Sequence, residues 1–265
     1  MSVPYLPFTL NLFIMAKQVG IIKLKGTIDD ISFYRTADGH MARAKGGISR
    51  QRILNDPAFQ RTRENGSEFG TAGKGGKLIR NALRSMMQHA KDRLVVGRLT
   101  KVLLSIIKTD TINERGLRTV ENGTMDLLLG FNFNGVAPLG TTLYAAFDAL
   151  FDRVTGEATM NLEAYSPMVR IAAPSGTTHY RISLGAAELD FQNMQFGFST
   201  SDSGIQAYNP VEVPASSLTV TLTPASTLPV VHVVGIEFFQ MVNGEYYPLK
   251  NGANNALAIV GVDGI

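Results

Sequence analysis

The sequence predicts an α+β chain: a basic β-hairpin with helices over residues 15–120, then an acidic antiparallel β-sandwich over residues 121–265, immunoglobulin-like or jelly-roll-like in type. Three observations predict it. Residues 1–118 hold 21 Lys and Arg against nine Asp and Glu, a net of +12, whereas residues 119–265 hold four against thirteen, a net of −9. Helical periodicity is present before residue 120 and gives way after it to short strand-like runs parted by turn residues. Asp38-Gly39 and Asn243-Gly244 each stand between extended runs, and both residue types tolerate the positive φ that tight hairpin turns require.

The first hairpin unit spans residues 19–46. Ile21, Ile22 and Leu24 lead to Gly26, Ile31 to Arg35 alternate, and Met41 to Lys45 is the return strand, closed by Gly46-Gly47. Asn55-Asp56-Pro57 reads as a helix start: Asp56 caps free N–H groups, and Pro57 lacks the donor that the first turn would orphan. Beyond it Gly66, Gly70 and Gly73 recur at helical spacing. On one helix they form a narrow face that another backbone approaches closely, which makes them the candidate close-packing residues. Each interior Gly costs up to ~1 kcal/mol relative to Ala, so a break near residues 73–76 competes with one continuous helix. Residues 77–90 and 93–108 carry apolar faces at helical spacing, Leu78, Ile79, Ala82, Leu83, Met86 and Met87 in the first and Leu94, Val95, Leu99, Val102, Leu103 and Ile106 in the second.

The strand-like runs of the second half are 141–147, 159–165, 168–172, 180–184, 194–198, 218–222, 230–242, 245–249 and 256–262. Seven or more such runs with turns between them imply an antiparallel sandwich rather than βαβ units. The boundary is expected near residues 119–140.

Composition removes several functions. There is no cysteine, which excludes disulfides, thiolate metal sites and Cys nucleophiles. The glycine-rich stretch 70–77 looks like a phosphate-binding loop, but that loop would need Gly at position 71, which is Thr, and Ser or Thr at 78, which is Leu. His40, His89, His179 and His232 are scattered without metal-ligand spacing, and His179 and His232 read as sheet-surface residues. Asp29-Asp30 lacks a calcium-loop pattern, and Glu188 with Asp190 on one strand face reads as solvated surface. No catalytic, cofactor-binding or metal-binding residue is expected.

The stronger signal is basic. Arg50, Arg52, Arg61, Arg63, Lys74, Lys77, Arg80 and Arg84 fall within 35 residues, with Asp56, Glu64 and Glu68 as the acids of the same span. Such density fits a polyanion or a partner, the acidic half of another copy included. Solvated helix faces are the plain alternative. The expected function is therefore non-enzymatic. One reading is a structural or assembly protein that self-associates, or binds a macromolecular partner, through oppositely charged halves. A second is a nucleic-acid-binding protein that uses the basic helices. A third is a sandwich that takes carbohydrate or a surface ligand near Tyr246 and Tyr247.

Residues 1–14, MSVPYLPFTLNLFI, are apolar and uncharged, and too short to span a bilayer. They read as an upstream extension with Met15 as the natural start, or as a degenerate export signal or docking peptide. The chain is cytoplasmic in the first case and exported if they act as a signal.

The run KGTIDDISFYRTADGHMARAKGG, followed by NDPAFQRTRENGSEFGTAGKGGKLIRNALR, resembles a duplicated family of uncharacterised bacterial proteins of unknown function. The likeness covers roughly residues 15–135, and FQRTRENGSEFG is its most specific part. It implies a start at Met15 and brings no activity, cofactor or catalytic residue.

Overall fold

The computed structural model describes residues 15–44, 47–90 and 92–264. The segment 1–14, Lys45 and Gly46 therefore lie outside the described residues. Two compact units divide the chain between Thr62 and Arg63.

In the first unit β1 (Met15–Lys17), β2 (Gly26–Ile28), β3 (Ile31–Thr36) and β4 (Gly39–Ala44) form one antiparallel sheet in the order β1-β4-β3-β2. The hairpin expected here forms, but its two loop residues are Ala37 and Asp38: Thr36 stands opposite Gly39, and of the Asp38-Gly39 pair only Gly39 takes positive φ, at +119°. Helix α1 (Arg50–Asn55) follows, capped by the Ser49 hydroxyl, which accepts the Arg52 N–H. Asp56 Oδ1 accepts the Ala58 N–H at 2.9 Å, and Pro57 opens a 3₁₀ turn that runs into the next helix, as the sequence predicts. No described residue of 15–62 is buried.

The second unit begins within α2 (Gln60–Ala82), a single helix despite its glycines. Tertiary packing offsets their propensity cost. Ala72, Gly75, Gly76 and Ile79 form a small-residue stripe that lets the backbone settle on α4 (Val95–Thr109), where Leu103 Cδ1 would lie 3.4 Å from a Cβ on Gly76. The short α3 (Arg84–Met87) lies between them in the chain. In α4 the buried residues Val95, Leu99, Leu103, Ile106 and Ile107 repeat at helical spacing on one side.

The strands are β5 (Phe147–Asp152), β6 (Glu157–Leu162), β7 (His179–Asp190), β8 (Gln195–Asp202), β9 (Gln206–Ala207), β10 (Ser216–Thr221), β11 (Val230–Val242), β12 (Glu245–Pro248) and β13 (Ala256–Asp263), with helix α5 (Pro167–Arg170) after β6. The run 168–172, expected as a strand, is instead mostly α5, which has Pro167 in its first turn. The small sheet has the order β10-β6-β5. The large sheet has the order β12-β11-β7-β8, with β13 also on β11 and β9 also on β7. The Asn243-Gly244 turn closes β11 on β12, both residues at positive φ.

The α+β class and the packing of sheet on sheet hold. The large sheet, however, is covered on both faces. Tyr180, Ile182, Leu184, Val234, Ile236 and Phe238 face the small sheet and meet Met160, Leu162, Leu218 and Val220. Ala187, Leu189, Val231, Val233, Leu257 and Ile259 face the helices and meet Leu78, Ile79, Leu99 and Leu103. Three layers result: helices, large sheet, small sheet. Each fully buried aliphatic side chain of β11 is worth ~1.5–3 kcal/mol relative to exposure. This corrects the expected division near residue 120. The helices and the strands share one core, so no compact unit ends there.

Candidate functional site

The eight basic residues divide between the two units. Arg50, Arg52 and Arg61 belong to the first. Arg50 and Arg61 are exposed, and Arg52 Nε pairs with Asp56 at 3.1 Å while its guanidinium lies over the Phe59 ring at 5.7 Å. Arg63, Lys74, Lys77, Arg80 and Arg84 belong to the second. Arg80 is half-buried and donates from Nε to the Gly76 carbonyl at 3.1 Å, which ties it to its own helix. Lys74 and Lys77 are exposed three apart on α2 and so share one outward side, and Arg84 is exposed at the start of α3.

Gly66, Gly70 and Gly73 lie on that same outward side, and no other described element of this chain packs on them. A Cβ at any of the three would meet nothing within 4 Å. The close approaches occur at Gly75, where a Cβ would stand 3.3 Å from both Phe191 and Val120, and at Gly76. The reason is geometric: the buried stripe of α2 passes through Ala72, Gly75, Gly76 and Ile79, about half a turn away from Gly66, Gly70 and Gly73. The outward side thus joins three glycines with Lys77, which continues their row, and Lys74, with the exposed Phe69 beside them. Residues 70–77 lie inside α2, so no phosphate-binding loop forms there.

Part of the positive excess has structural work. Arg98 pairs with Asp92 at 2.5 Å and donates to the carbonyls of Asn132 (2.7 Å) and Phe133 (3.2 Å). Arg115 pairs with Glu64 at 3.3 Å and reaches Asn65 at 2.8 Å.

The acidic counterpart is the outer face of the small sheet. In β5 the exposed residues are Asp148, Leu150 and Asp152, and in β6 Glu157 is exposed. Asp152 and Glu157 are direct cross-strand partners, a like-charge pairing that costs stability in the isolated chain. The cation of this region, Arg153, points elsewhere, to Asp263. Helices and small sheet cover opposite faces of the large sheet. The second unit therefore carries a basic strip on one outer layer and an acidic face on the other.

The remaining polar groups of interest are mostly structural. Glu188 accepts the Thr223 hydroxyl at 2.7 Å. Asp190 caps the following turn through the N–H groups of Gln192 and Asn193, and those bonds hold its carboxyl below the usual range. His89 Nδ1 lies 3.3 Å from Glu237, which also binds Arg181 at 3.1 Å. His232, read as a surface residue, is 3 % exposed. Tyr246 and Tyr247 are both exposed on the β11–β12 arm, Tyr246 with its ring 4.8 Å from that of His179. A crevice of about 240 Å³ lies between α2 and the β7–β8 turn, lined by Thr71, Lys74, Glu121, Phe191 and Gln192 among others. Among the described residues no three His, Asp or Glu side chains gather to hold a metal ion. No helix of the described residues is long and apolar enough to cross a membrane.

No family model, curated protein or solved structure matches this chain.

Proposed function

We propose that this chain is a structural protein that self-associates head to tail, the basic strip of α2 in one copy meeting the acidic β5–β6 face of the next. The observation that carries the reading is the placement of opposite charges on opposite outer layers of one unit. A contact between two different surfaces is heterologous, and unless its rotation closes a ring it continues as an open assembly. The glycines suit close contact, because they add no bulk beside Lys74 and Lys77. The Asp152–Glu157 pair supports the same reading, since a cation from a neighbour relieves its repulsion. The first unit adds to it: nine Lys and Arg against four Asp and Glu in residues 15–62, and no buried residue among those described, make a surface that gains from a partner.

Light scattering and sedimentation across a salt series test this. Assemblies at low ionic strength that dissolve as salt rises are the expected result. A monomer at every concentration and salt defeats the proposal. Lys74→Glu with Lys77→Glu, and separately Asp152→Lys with Glu157→Lys, should each abolish assembly. Mixing the two variants should restore a complex, because the first keeps its acidic face and the second keeps the basic strip that fits it.

A second reading rests on the same strip. Exposed cations among glycines also fit a phosphate backbone, bound through charge and with little sequence preference. Lys74→Gln with Lys77→Gln should then reduce the salt slope of duplex DNA binding by up to ~2. Absence of DNA binding at low salt removes this reading and leaves the first intact.

A further inference from the structure

His232 sits on the face of β11 that the small sheet covers, and neither of its ring nitrogens has a hydrogen-bond partner among the described residues. Its place is built rather than incidental. The β11–β13 ladder shifts register between His232 and Val233. Opposite the ring lies Gly261, where a Cβ would stand 2.5 Å from His232 Nδ1. The bulge and the glycine together make the room that the imidazole fills. Phe151 of β5 packs on it, ring centroids 5.1 Å apart.

Beyond Phe151 lies a clamp. The Arg153 guanidinium is over the Phe151 ring at 5.8 Å. Its Nε donates to Asp263 Oδ1 at 2.9 Å, and its other nitrogens donate to the carbonyls of Ser226 (2.6 Å), Leu228 (3.0 Å), Gly264 (3.1 Å) and Asp263 itself (3.2 Å). One side chain thus fastens the β5–β6 turn to the end of β13 and to the loop before β11.

The charged and titratable groups around His232 are few. Arg153 comes from the β5–β6 turn and Asp263 from β13. Glu188 lies on the same inner face of β7, one Oε occupied by Thr223 and the other without a partner. The register partner on β7 is Ala186, and the inward row of the small sheet there is Phe151, Ala158 and Val220.

We propose that this end of the sandwich is an acid-operated latch: protonation of His232 draws the Asp263 carboxylate away from Arg153 and frees the β5–β6 turn and the end of β13. A proton taken from solvent is the only chemical event. An imidazolium in this apolar interior has one anion placed to compensate it from β13, and that anion already holds the clamp. Two cations then compete for one carboxylate. Burial pushes the His232 pKa below its ordinary value, and the charge of Asp263 opposes this in part. The sign follows: the opened form binds the proton more readily, so the closed form is favoured above about pH 6.5 and loses ground as pH falls below it.

Hydrogen exchange at pH 7 and pH 5, corrected for intrinsic rates, tests the latch. Amides of 147–152 and 256–263 should exchange up to about 25-fold faster at pH 5 than at pH 7, the limit set by an open-state pKa of ~6.5, while α4 stays protected. His232→Phe should remove the difference. Equal acid sensitivity in that variant overturns the proposal, as does a flat response in the wild type. A measurement on the unaltered protein covers the case in which the variant does not fold. The ring resonances of His232 and the Nε–H of Arg153 should titrate with one midpoint in NMR. An Arg153 signal that stays fixed while His232 titrates overturns the latch.

Discussion

Gly123 lies against the last turns of α4 so closely that a Cβ on it would stand 2.3 Å from the carbonyl oxygen of Ile106. The Thr124 N–H donates to the Thr109 hydroxyl at 2.7 Å, and that hydroxyl donates to the same Ile106 carbonyl at 2.6 Å. The chain leaving the helical layer is thereby pinned to the helix it has just left.

Gly123→Ala should therefore destabilise the second unit by about 2–4 kcal/mol, because backbone rather than a movable side chain must yield. Gly70→Ala should do the opposite. Its Cβ points into open space, and the exposed helix gains up to ~1 kcal/mol of propensity. Urea unfolding of the two variants beside the wild type reads both signs. A destabilising Gly70→Ala would mean that the outward side of α2 is already covered.

Asp110 organises the loop that follows α4. Burial drives its carboxyl pKa up, but bonds from the Asn113 side chain and from the N–H groups of Thr119, Asn113 and Ile112 outweigh that and hold it at about 2. The folded pKa lies below the unfolded one. The group therefore stabilises above about pH 4 and loses that contribution as pH falls toward 2. Asp110→Asn should cost about 1–3 kcal/mol at pH 7, since an amide cannot accept at both positions. The difference from wild type should shrink between pH 4 and pH 2 in acid unfolding. A gap that stays constant with pH would show that the charge is not what the loop uses.

Much of this architecture is legible in the residues, and the failures have physical causes. The run Val230–Val242 reads as a strand with its bounds intact, because apolar β-branched residues run up to an Asn-Gly turn. That both its faces are buried was also written there: Val230, Val231, Val233, Val234 and Ile236 leave no polar alternation. The same feature hid the domain organisation, since only the helices can cover the second face. α2 was harder. Local propensity argues for a break at the glycines, and the energy that overrules it comes from α4, Val120 and Phe191, which are distant in sequence. Which glycines pack depended on the phase of the helix against those partners. A polar anchor of α2 was equally invisible: Glu68, 2 % exposed, accepts the Gly116 N–H at 3.0 Å across 48 residues. The basic cluster gave composition without direction, and only the fold separates Lys74, Lys77 and Arg84 from Arg80 and Arg52.

Tyr165 and Tyr180 share a buried hydrogen bond, hydroxyl to hydroxyl, at 2.8 Å between the sheets. Burial raises the pKa of both, and for Tyr180 the neighbouring hydroxyl raises it further. The unfolded chain thus releases its phenolic protons first. The stability from this pair is present below about pH 10 and falls as pH rises past it. Two of the eight tyrosines should resist ionisation until the protein unfolds, visible as missing tyrosinate absorbance. Tyr180→Phe strands the Tyr165 hydroxyl and should cost about 1–3 kcal/mol, and adding Tyr165→Phe should cost less than a second such step. Strict additivity would mean that the two hydroxyls do not support each other.

The acidic face offers a test in which stability and assembly move in opposite directions. Glu157 stands opposite Asp152 on the outer face of the small sheet, and the buried residues of β6, Ala158, Met160 and Leu162, point the other way. Glu157→Lys replaces a like-charge pair with an opposite-charge one and disturbs no core contact. The isolated unit should become more stable by about 0.2–1 kcal/mol, the range for cross-strand pairs. Self-association through this face should weaken, because the substitution removes one carboxylate and adds a cation where Lys74 or Lys77 of the next copy would approach. Thermal unfolding at high salt reads the first effect, since screening dissolves the assemblies while leaving the close pair partly intact. Sedimentation at low salt reads the second. A variant that loses stability contradicts the outward placement of Glu157. A variant that gains stability and still assembles like the wild type removes this face from the interface.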